Sequence, residues 1–288
     1  MKKIITRLAL FFAIALVATP LLASCGESEN NAVGENGRTV QQIKDSGTVK
    51  IGVFSDKAPF GYVDADGNYA GYDVFFAERI AEDLGVKVEY VPTEAAARVS
   101  SAESKRVDIV LANFTVTDER AEKVDFTLPY MKVALGVVSP EDTPVSSLEN
   151  YTDQTNKPLI VVRGTTAETF IDKTYPNLPV QKFEQYNDAQ NALLDGRGGA
   201  WITDNTEAIA YAKNNDGFIV DPRVANVGDA DTIAAAVTKG NTDLLNWLND
   251  EIKKLGQEQF FHADYDATLS SVYGEEFEDE LVVEGGEI

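Results

Sequence analysis

The sequence contains very little of the material that catalytic and metal sites commonly use. Among its 288 residues there is one cysteine, Cys25, and one histidine, His262. A lone cysteine excludes an internal disulfide, and a lone histidine leaves no paired-histidine zinc motif and little basis for serine–histidine catalysis. We therefore expect no metal ion, no cofactor and no enzyme activity.

Positive charge is also scarce. The chain has 25 Lys and Arg residues against 47 Asp and Glu residues, a net charge of −22. The first 24 residues include three basic residues, Lys2, Lys3 and Arg7, and no acidic one, so the remainder carries −25. This balance argues against nucleic acid and against an anionic lipid surface as partners. A binding site for an anionic group therefore has to build its own local positive charge.

A long apolar run, Leu8–Leu22, follows a short basic segment and ends in Leu22-Ala23-Ser24-Cys25. It is too short for a confident membrane span and is typical of a secretory signal peptide. We predict a signal peptide at residues 1–24, a lipidated N-terminus at Cys25 and a flexible polar tether over residues 25–38. Since more than one acyl chain gives stable anchoring, we expect an exported protein, lipid-anchored to the outer face of the cell membrane or in the periplasm.

From about residue 39 onward, apolar runs typical of strands alternate with helical patterns. The predicted strands are Val49–Val53, Val86–Val91, Val107–Leu111, Pro158–Arg163, Val180–Phe183, Ala200–Thr203 and Thr232–Val237. Helix N-caps are predicted at Asp73, Thr117, Asn187 and Asp204. Repeated βαβ units of this kind predict an α/β fold with mainly parallel strands and helices on both faces.

Three predicted strands end in, or are followed by, short polar segments near a helix N-terminus. These segments are Asn113-Phe114-Thr115, Gly164-Thr165-Thr166 and Thr203-Asp204. Ligands bind at such strand ends in open α/β sheets, because free amides and helix N-termini converge there. Arg120 adds a fork suited to a carboxylate, and Asp204 adds a carboxylate suited to an ammonium group. Together they predict a clamp for the backbone of an α-amino acid, although Asp204 could equally be a helix cap alone.

From about Val40 to the C-terminus the chain resembles the solute-binding proteins of polar amino-acid ABC transporters. The resemblance lies in Gly52–Tyr62, in Gly71-Tyr72-Asp73 and in Ala112–Tyr130. It implies a two-lobed periplasmic-binding-protein type II fold with the ligand in the cleft. Lobe 1 would comprise residues 39–132 and 233–288, and lobe 2 residues 133–232. We expect two sheets joined by crossing strands near residues 130–134 and 229–234.

The resemblance also implies roles for individual residues. Thr115 and Arg120 would hold the ligand carboxylate and Asp204 its amino group. The main chain at Asn113 and the turn Gly164-Thr165-Thr166 would make the remaining contacts to the ligand backbone. Phe54 would form the cleft wall, with Lys57 nearby. Arg98 would either face the ligand side chain or lie exposed on its helix.

The implied function is capture of an amino acid and delivery to an inner-membrane ABC permease, by a protein that acts as a monomer. Residues 111–137 and the C-terminal region resemble the cysteine-binding branch most, so we expect cysteine. Glutamate or aspartate is the alternative, because Arg98 and Lys57 could meet an acidic side chain. Some relatives of this fold are dehydratases, but we expect no acid in the cleft besides Asp204 to serve such chemistry. An adhesive role has no support in the sequence.

Overall fold

The computed structural model describes residues 34–287. The predicted signal peptide, Cys25 and the first part of the tether lie outside these described residues. Among residues 34–287, no helix has both the length and the apolar character needed to cross a membrane.

Twelve strands in the described residues form two sheets. They are β1 (Thr48–Val53), β2 (Asp56–Lys57), β3 (Gly61–Val63), β4 (Tyr69–Ala70), β5 (Lys87–Pro92), β6 (Ile109–Val110), β7 (Val124–Pro140), β8 (Leu159–Val162), β9 (Val180–Phe183), β10 (Ala200–Asp204), β11 (Phe218–Val220) and β12 (Val227–Thr238). The large sheet has the order β5-β1-β6-β12-β7-β10-β8-β9, with β11 paired to β7, and β2-β3-β4 form a small antiparallel sheet.

The helices cover the strands and supply the N-termini that face the strand ends. They are α1 (Val40–Ser46), α2 (Tyr72–Leu84), α3 (Arg98–Glu103), α4 (Asp118–Ala121), α5 (Tyr151–Gln154), α6 (Thr166–Thr174), α7 (Tyr186–Leu194), α8 (Asn205–Asn214), α9 (Thr242–Gln257), α10 (Phe260–Thr268), α11 (Ser270–Tyr273) and α12 (Glu278–Leu281). Short 3₁₀ turns occupy Ala95–Ala97, Pro222–Val224 and Glu275–Phe277.

The predicted helix caps are only partly correct. Thr117 is confirmed as the N-cap of α4, since its hydroxyl accepts a hydrogen bond from the amide of Arg120. Asp73 and Asn187 are not caps, because α2 and α7 begin one or two residues earlier, after Gly71 and Gln185. Both side chains fall in the first turn of their helix instead, and the carboxylate of Asp73 still interacts favourably there with the helix dipole.

The two longest strands, β7 and β12, contain both predicted crossing segments. They pair antiparallel from Leu135 opposite Val227 to Val124 opposite Thr238, with three irregularities in register. Our expectation of two separate sheets is wrong, because this pairing places β7 and β12 in the middle of one continuous hydrogen-bonded sheet. Such a sheet is possible since irregularities let a strand bend and twist from one half into the other.

The buried apolar side chains form three clusters. The first unites β1 and α2 with the C-terminal helices, and includes Ile51, Phe76, Leu248 and Phe261. The second lies wholly within residues 135–224 and includes Val137, Leu159, Ile171 and Ile202. The third contains side chains from both halves of the chain, including Phe54, Phe114, Trp201 and Tyr211. The C-terminal helix α9 therefore packs with the first part of the chain, as expected.

Candidate functional site

The three strand ends singled out in the sequence meet in the structure. Asn113 follows β6, Gly164 follows β8 and Asp204 ends β10. The side-chain amide of Asn113 donates to Oδ2 of Asp204 over 2.6 Å. Two arginine side chains that reach from the neighbourhood of β6 donate to the carbonyl of Gly164. The prediction that these strand ends share one region is confirmed.

Arg120 links two of these strand ends. Its Nη1 donates to the carbonyl of Thr115 over 2.7 Å, and its Nη2 donates to the carbonyl of Gly164 over 2.9 Å. The guanidinium also stacks over the ring of Phe114, 4.9 Å from its centroid. Within residues 34–287, Arg120 forms no salt bridge with a carboxylate. A guanidinium held by neutral carbonyls keeps its full charge available to an anion.

Arg98 lies deeper and is 2% exposed, so the alternative of an exposed helix-face arginine is wrong. Its guanidinium donates four hydrogen bonds, all to backbone carbonyls, at Ala95, Ala112, Asn113 and Gly164, over 2.8–3.0 Å. Four of the five N–H donors of this side chain are therefore occupied by the protein itself.

The guanidinium groups of Arg98 and Arg120 share the carbonyl oxygen of Gly164 as acceptor. Burial, and next the positive charge of Arg98, lower the pKa of Arg120 to about 9. Burial also lowers the pKa of Arg98. Two positive charges this close, with no carboxylate from residues 34–287 bonded to either, form a local positive centre in a strongly acidic protein.

Asp204 occupies the N-cap position of α8, but its side chain makes no capping hydrogen bond. The alternative that Asp204 is simply a cap is therefore wrong. Its Oδ2 accepts hydrogen bonds from Asn113 Nδ2 and from Nζ of Lys57, the latter over 2.8 Å. Asp204 is 9% exposed, and both of its partners come from the first 113 residues of the chain.

Lys57 is fully buried, whereas the sequence placed it only near the cleft. Its ammonium donates to Asp204 Oδ2 and to Glu207 Oε2, each over 2.8 Å, and lies 4.1 Å from the ring centroid of Tyr186. Burial alone would lower the pKa of Lys57, but the charges of Asp204 and Glu207 outweigh it and raise the pKa well above its usual value. Lys57 is therefore a charged ammonium held by two carboxylates.

Glu207 is a site residue that the sequence analysis missed, and the expectation of no second acid here is wrong. It is 2% exposed, and its Oε2 also accepts a hydrogen bond from the hydroxyl of Thr203. Burial raises the pKa of Glu207, while Lys57 opposes that effect. The available signal was its spacing, because a residue three positions after Asp204 lies on the same face of α8.

Phe54 is buried beside these charges, and its role as the wall of the cleft stays a prediction. Its ring meets the ring of Tyr186 edge to face, with centroids 5.3 Å apart, and Arg98 lies 5.5 Å from its centroid. Tyr186, at the start of α7, was not predicted. The two rings give this part of the site an apolar and polarisable surface.

Gly164 lies very close to the 3₁₀ turn of Ala95–Ala97. It has a φ of +72°, and a Cβ added to it would lie 2.4 Å from the Cα of Ala96. The hydroxyl of Thr165 caps α6, accepting from the Glu168 amide and donating to the Val162 carbonyl. Thr166 instead lines a cavity of about 640 Å³ together with Arg120 and Gly164.

The backbone of Asn113 is held in place by a hydrogen bond to Asp73. Its backbone amide donates to Oδ2 of Asp73 over 2.7 Å, and the hydroxyl of Tyr130 donates to the other oxygen. Asn113 has a φ of +42°, a conformation that asparagine tolerates better than most residues. Burial raises the pKa of Asp73 to about 6. Asp73 thus connects β7, through Tyr130, to the strand end that contains Asn113.

The site as built is suited to a zwitterion. The positive centre at Arg98 and Arg120 can attract a carboxylate, and Asp204 can accept from an ammonium group. Among the described residues, Asn113 Oδ1 is buried and has no hydrogen-bond partner, which leaves a further acceptor for N–H donors. In the same part of the chain, no group of three His, Cys, Asp or Glu side chains is positioned to hold a metal ion.

Comparison with known proteins assigns the chain to a family. Residues 49–266 match the model of the bacterial extracellular solute-binding proteins, family 3. A structure of the solute receptors for L-cysteine of Neisseria gonorrhoeae is 49% identical, with a TM-score of 0.81, and covers 86% of this chain and 100% of that one. The cysteine-binding protein of Campylobacter jejuni is 46% identical, also with a TM-score of 0.81, over 85% and 98% of the two chains.

A curated relative with another named ligand is similar as well. The ABC transporter glutamine-binding protein of Bacillus subtilis is 29% identical over 264 residues, which is 88% of this chain and 93% of that protein. The relatives thus agree on the class of protein and differ in the amino acid named. The chain belongs to the bacterial extracellular solute-binding proteins, family 3, and has their α/β, two-lobed type II periplasmic-binding-protein fold.

Proposed function

We propose that this amino-acid-binding protein of an ABC importer captures cysteine outside the cytoplasm and delivers it to the membrane permease. The observation that carries the proposal is the pair Arg98 and Arg120. Both guanidinium groups donate to one carbonyl, and in the described part of the chain no carboxylate is bonded to either. A ligand carboxylate would satisfy this positive centre, with Arg120 as its bidentate partner and Thr115 beside it.

The ammonium end of the ligand would be held by Asp204. One oxygen of Asp204 is already fixed by Lys57 and Asn113, so the carboxylate is oriented before the ligand arrives. Binding would favour the closed form, because the bonds to Asp204 and Gly164 join residues that are far apart in the chain. The main chain at Asn113 and Gly164, with Thr165 and Thr166 in the first turn of α6, would complete the grip.

The choice of cysteine has two supports. Two similar solved structures are named for cysteine. In addition, Lys57 is held by two carboxylates and Arg98 by four carbonyls, so both bases that could have met an acidic side chain are occupied. A thiol is compatible with the aromatic edge formed by Phe54 and Tyr186, because sulfur packs favourably against aromatic rings. Glutamate or aspartate is the alternative ligand.

A dehydratase activity has less support than transport. It needs a carboxylic acid that is held neutral and free to donate a proton to the substrate. Two further acids are buried at the site. The Oε2 of Glu207 is bound to the Lys57 ammonium and the Thr203 hydroxyl. Both oxygens of Asp73 accept hydrogen bonds, from the Asn113 amide and the Tyr130 hydroxyl. Asp204 is bound to the same ammonium. None of these three acids is arranged as a proton donor to a substrate.

The remaining parts of the proposal rest on the sequence. We assign lobe 1 to residues 39–132 and 233–288 and lobe 2 to residues 133–232. Acylated Cys25 and the tether of residues 25–38 would hold the protein near its permease at the outer face of the cell membrane. One site per chain, built from both lobes of a single chain, is consistent with action as a monomer.

Calorimetry on the chain without residues 1–24 tests the ligand assignment. Cysteine would be titrated with a non-thiol reductant present, and glutamate, aspartate, glutamine and arginine under the same conditions. We expect cysteine to bind at least tenfold tighter than the others, and nuclear magnetic resonance of the ligand to show no turnover. Tenfold tighter binding of glutamate or aspartate would contradict the assignment to cysteine, and binding of no amino acid would contradict the proposed function itself.

A further inference from the structure

The buried ion cluster of Lys57, Asp204 and Glu207 has one cation for two anions. The Lys57 ammonium lies between the carboxylates at 2.8 Å from each, and its side chain has no exposure to solvent. The side chain of Glu207 is 3% exposed and its Oε1 has no hydrogen-bond partner among the described residues. Glu207 and Asp204 are linked through the Lys57 ammonium, which donates to both. Glu207 therefore contributes negative charge to the site without binding a ligand group itself.

The three cations of the site are balanced by its three buried acids when Glu207 is ionised. The cations are Lys57, Arg98 and Arg120, and the buried acids are Asp73, Asp204 and Glu207. Two partly exposed acids near the site, Asp56 and Asp231, add further negative charge. A zwitterion adds no net charge to such a site, whereas a ligand with an acidic side chain adds one negative charge. The bases that could meet that charge are already engaged, Lys57 by two carboxylates and Arg98 by four carbonyls.

We propose that Glu207, acting through Lys57, determines the charge of the ligand side chain that the site accepts, and excludes acidic amino acids. The inference rests on the proposed function, since it concerns the same site and its amino-acid ligand. If Glu207 were neutral, Lys57 would be shared with Asp204 alone. Asp204 would be engaged by the ligand ammonium, and the positive charge of Lys57 would then be available to an acidic side chain.

The test compares two ligands of the same shape and different charge. Aspartate and asparagine would each compete with cysteine for the wild-type protein and for Glu207→Gln. The glutamine side chain keeps the size of Glu207 and an oxygen that can accept from Lys57. We expect the ratio of aspartate to asparagine affinity to rise at least tenfold in the variant. This ratio does not depend on a general loss of affinity.

A double variant separates charge from shape. The double variant Lys57→Gln/Glu207→Gln leaves Asp204 as the sole charge of the cluster. The net charge of the cluster is then −1, as in the wild type. The ratio of aspartate to asparagine affinity should therefore return to within threefold of the wild-type value. Glu251→Gln is the matched control, because Glu251 is also nearly buried and paired with a lysine, Lys254, away from the site. Its affinity ratio should equal that of the wild type.

Two results would overturn the inference. One is an affinity ratio in Glu207→Gln within threefold of wild type, in a protein that still binds cysteine. The other is a raised ratio that persists in the double variant, since shape and not charge would then be responsible. Both are distinct from failure of the proposed function, in which the wild-type protein itself binds no amino acid.

Discussion

Lys57 and Asp204 are 147 positions apart in the chain, and yet the Lys57 ammonium lies 2.8 Å from Oδ2 of Asp204 with no exposure to solvent. The contact joins β2 to the end of β10. It explains why Asp204, although at the start of α8, makes no capping hydrogen bond. The Asp204 carboxylate could have accepted from the free amides of α8, but it is bound by the Lys57 ammonium instead.

The first prediction concerns this ion cluster. Lys57→Met removes the only cation between Asp204 and Glu207, so two buried carboxylates face each other uncompensated. We expect the free energy of unfolding in urea to fall by about 3–5 kcal/mol. Lys50→Met is the matched control, because Lys50 lies 3.8 Å from Glu89 with a side chain that is 41% exposed. That control should lose less than about 1 kcal/mol, and equal losses would contradict the burial argument.

Arg120→Ala should abolish ligand binding while the protein stays folded. Charge-assisted hydrogen bonds contribute roughly 1.5–3 kcal/mol each, so losing a bidentate pair predicts a loss of affinity of about 100-fold or more. Calorimetry with cysteine measures the loss, and circular dichroism checks the fold. Arg223→Ala is the control, since the Arg223 side chain is 70% exposed and its salt bridge is to Asp221. A change of less than fivefold in Arg120→Ala would show that Arg120 is not a ligand residue.

Gly164→Ala tests the close approach of α6 to the 3₁₀ turn. A Cβ at this position would lie 2.4 Å from the Cα of Ala96, where backbone and not a flexible side chain must move. Gly217→Ala has a similar positive φ, +84° against +72°, but its Cβ would meet nothing within 4 Å. The two variants share the cost of the left-handed conformation, about 1 kcal/mol.

We expect Gly164→Ala to bind the ligand at least tenfold more weakly than Gly217→Ala, because the clash separates the elements that meet at the Gly164 carbonyl. Calorimetry on both variants measures the difference. Equal affinities would mean that the approach of Gly164 to Ala96 is not needed for binding.

The raised pKa of Asp73 predicts that the free energy of unfolding depends on pH. Burial raises its pKa to about 6 in the folded protein, whereas the carboxyl titrates near 3.8 in its ordinary state. Between these values the folded state retains a proton that the unfolded state has released, so the free energy of unfolding falls as pH rises through this window. Above about pH 6 the whole effect, roughly 3 kcal/mol, has been lost.

Asp73→Asn cannot titrate and should lack this decline. The difference in free energy of unfolding, wild type minus variant, should therefore decrease by about 2.4 kcal/mol from pH 4 to pH 7. Urea denaturation of both proteins at several pH values in this range measures it. A difference that stays constant with pH would show that Asp73 does not titrate there.

Cys25→Ser should release the protein from membranes. The prediction follows from the sequence Leu22-Ala23-Ser24-Cys25 at the end of an apolar run, because serine cannot take the thioether-linked lipid. Fractionation of cells should place the wild type with membranes and the variant in the soluble extract. Retention of the serine variant after a high-salt wash would contradict lipid anchoring.

The order of elements could be predicted from the sequence, because strand and helix periodicity are local properties. The strand pattern at residues 49–53, 180–183 and 200–203 corresponds to β1, β9 and β10 within one residue at either end. The proximity of Asn113, Gly164 and Asp204 followed from the rule that ligands bind at the carboxyl ends of parallel strands. The helix starts at Asp73 and Asn187 were misplaced, since any polar residue near a helix start resembles a cap.

The sequence by itself determined the alternation of strands and helices, the acidic composition, and the presence of an arginine and an aspartate at strand ends, because each depends on residue type and local spacing. The tertiary structure alone decided which charges meet. It paired Lys57 with Asp204 and Glu207, and it turned Arg98 inward onto four carbonyls. Such pairings depend on distances between residues remote in the chain and on the exclusion of water, and neither is encoded in any short stretch.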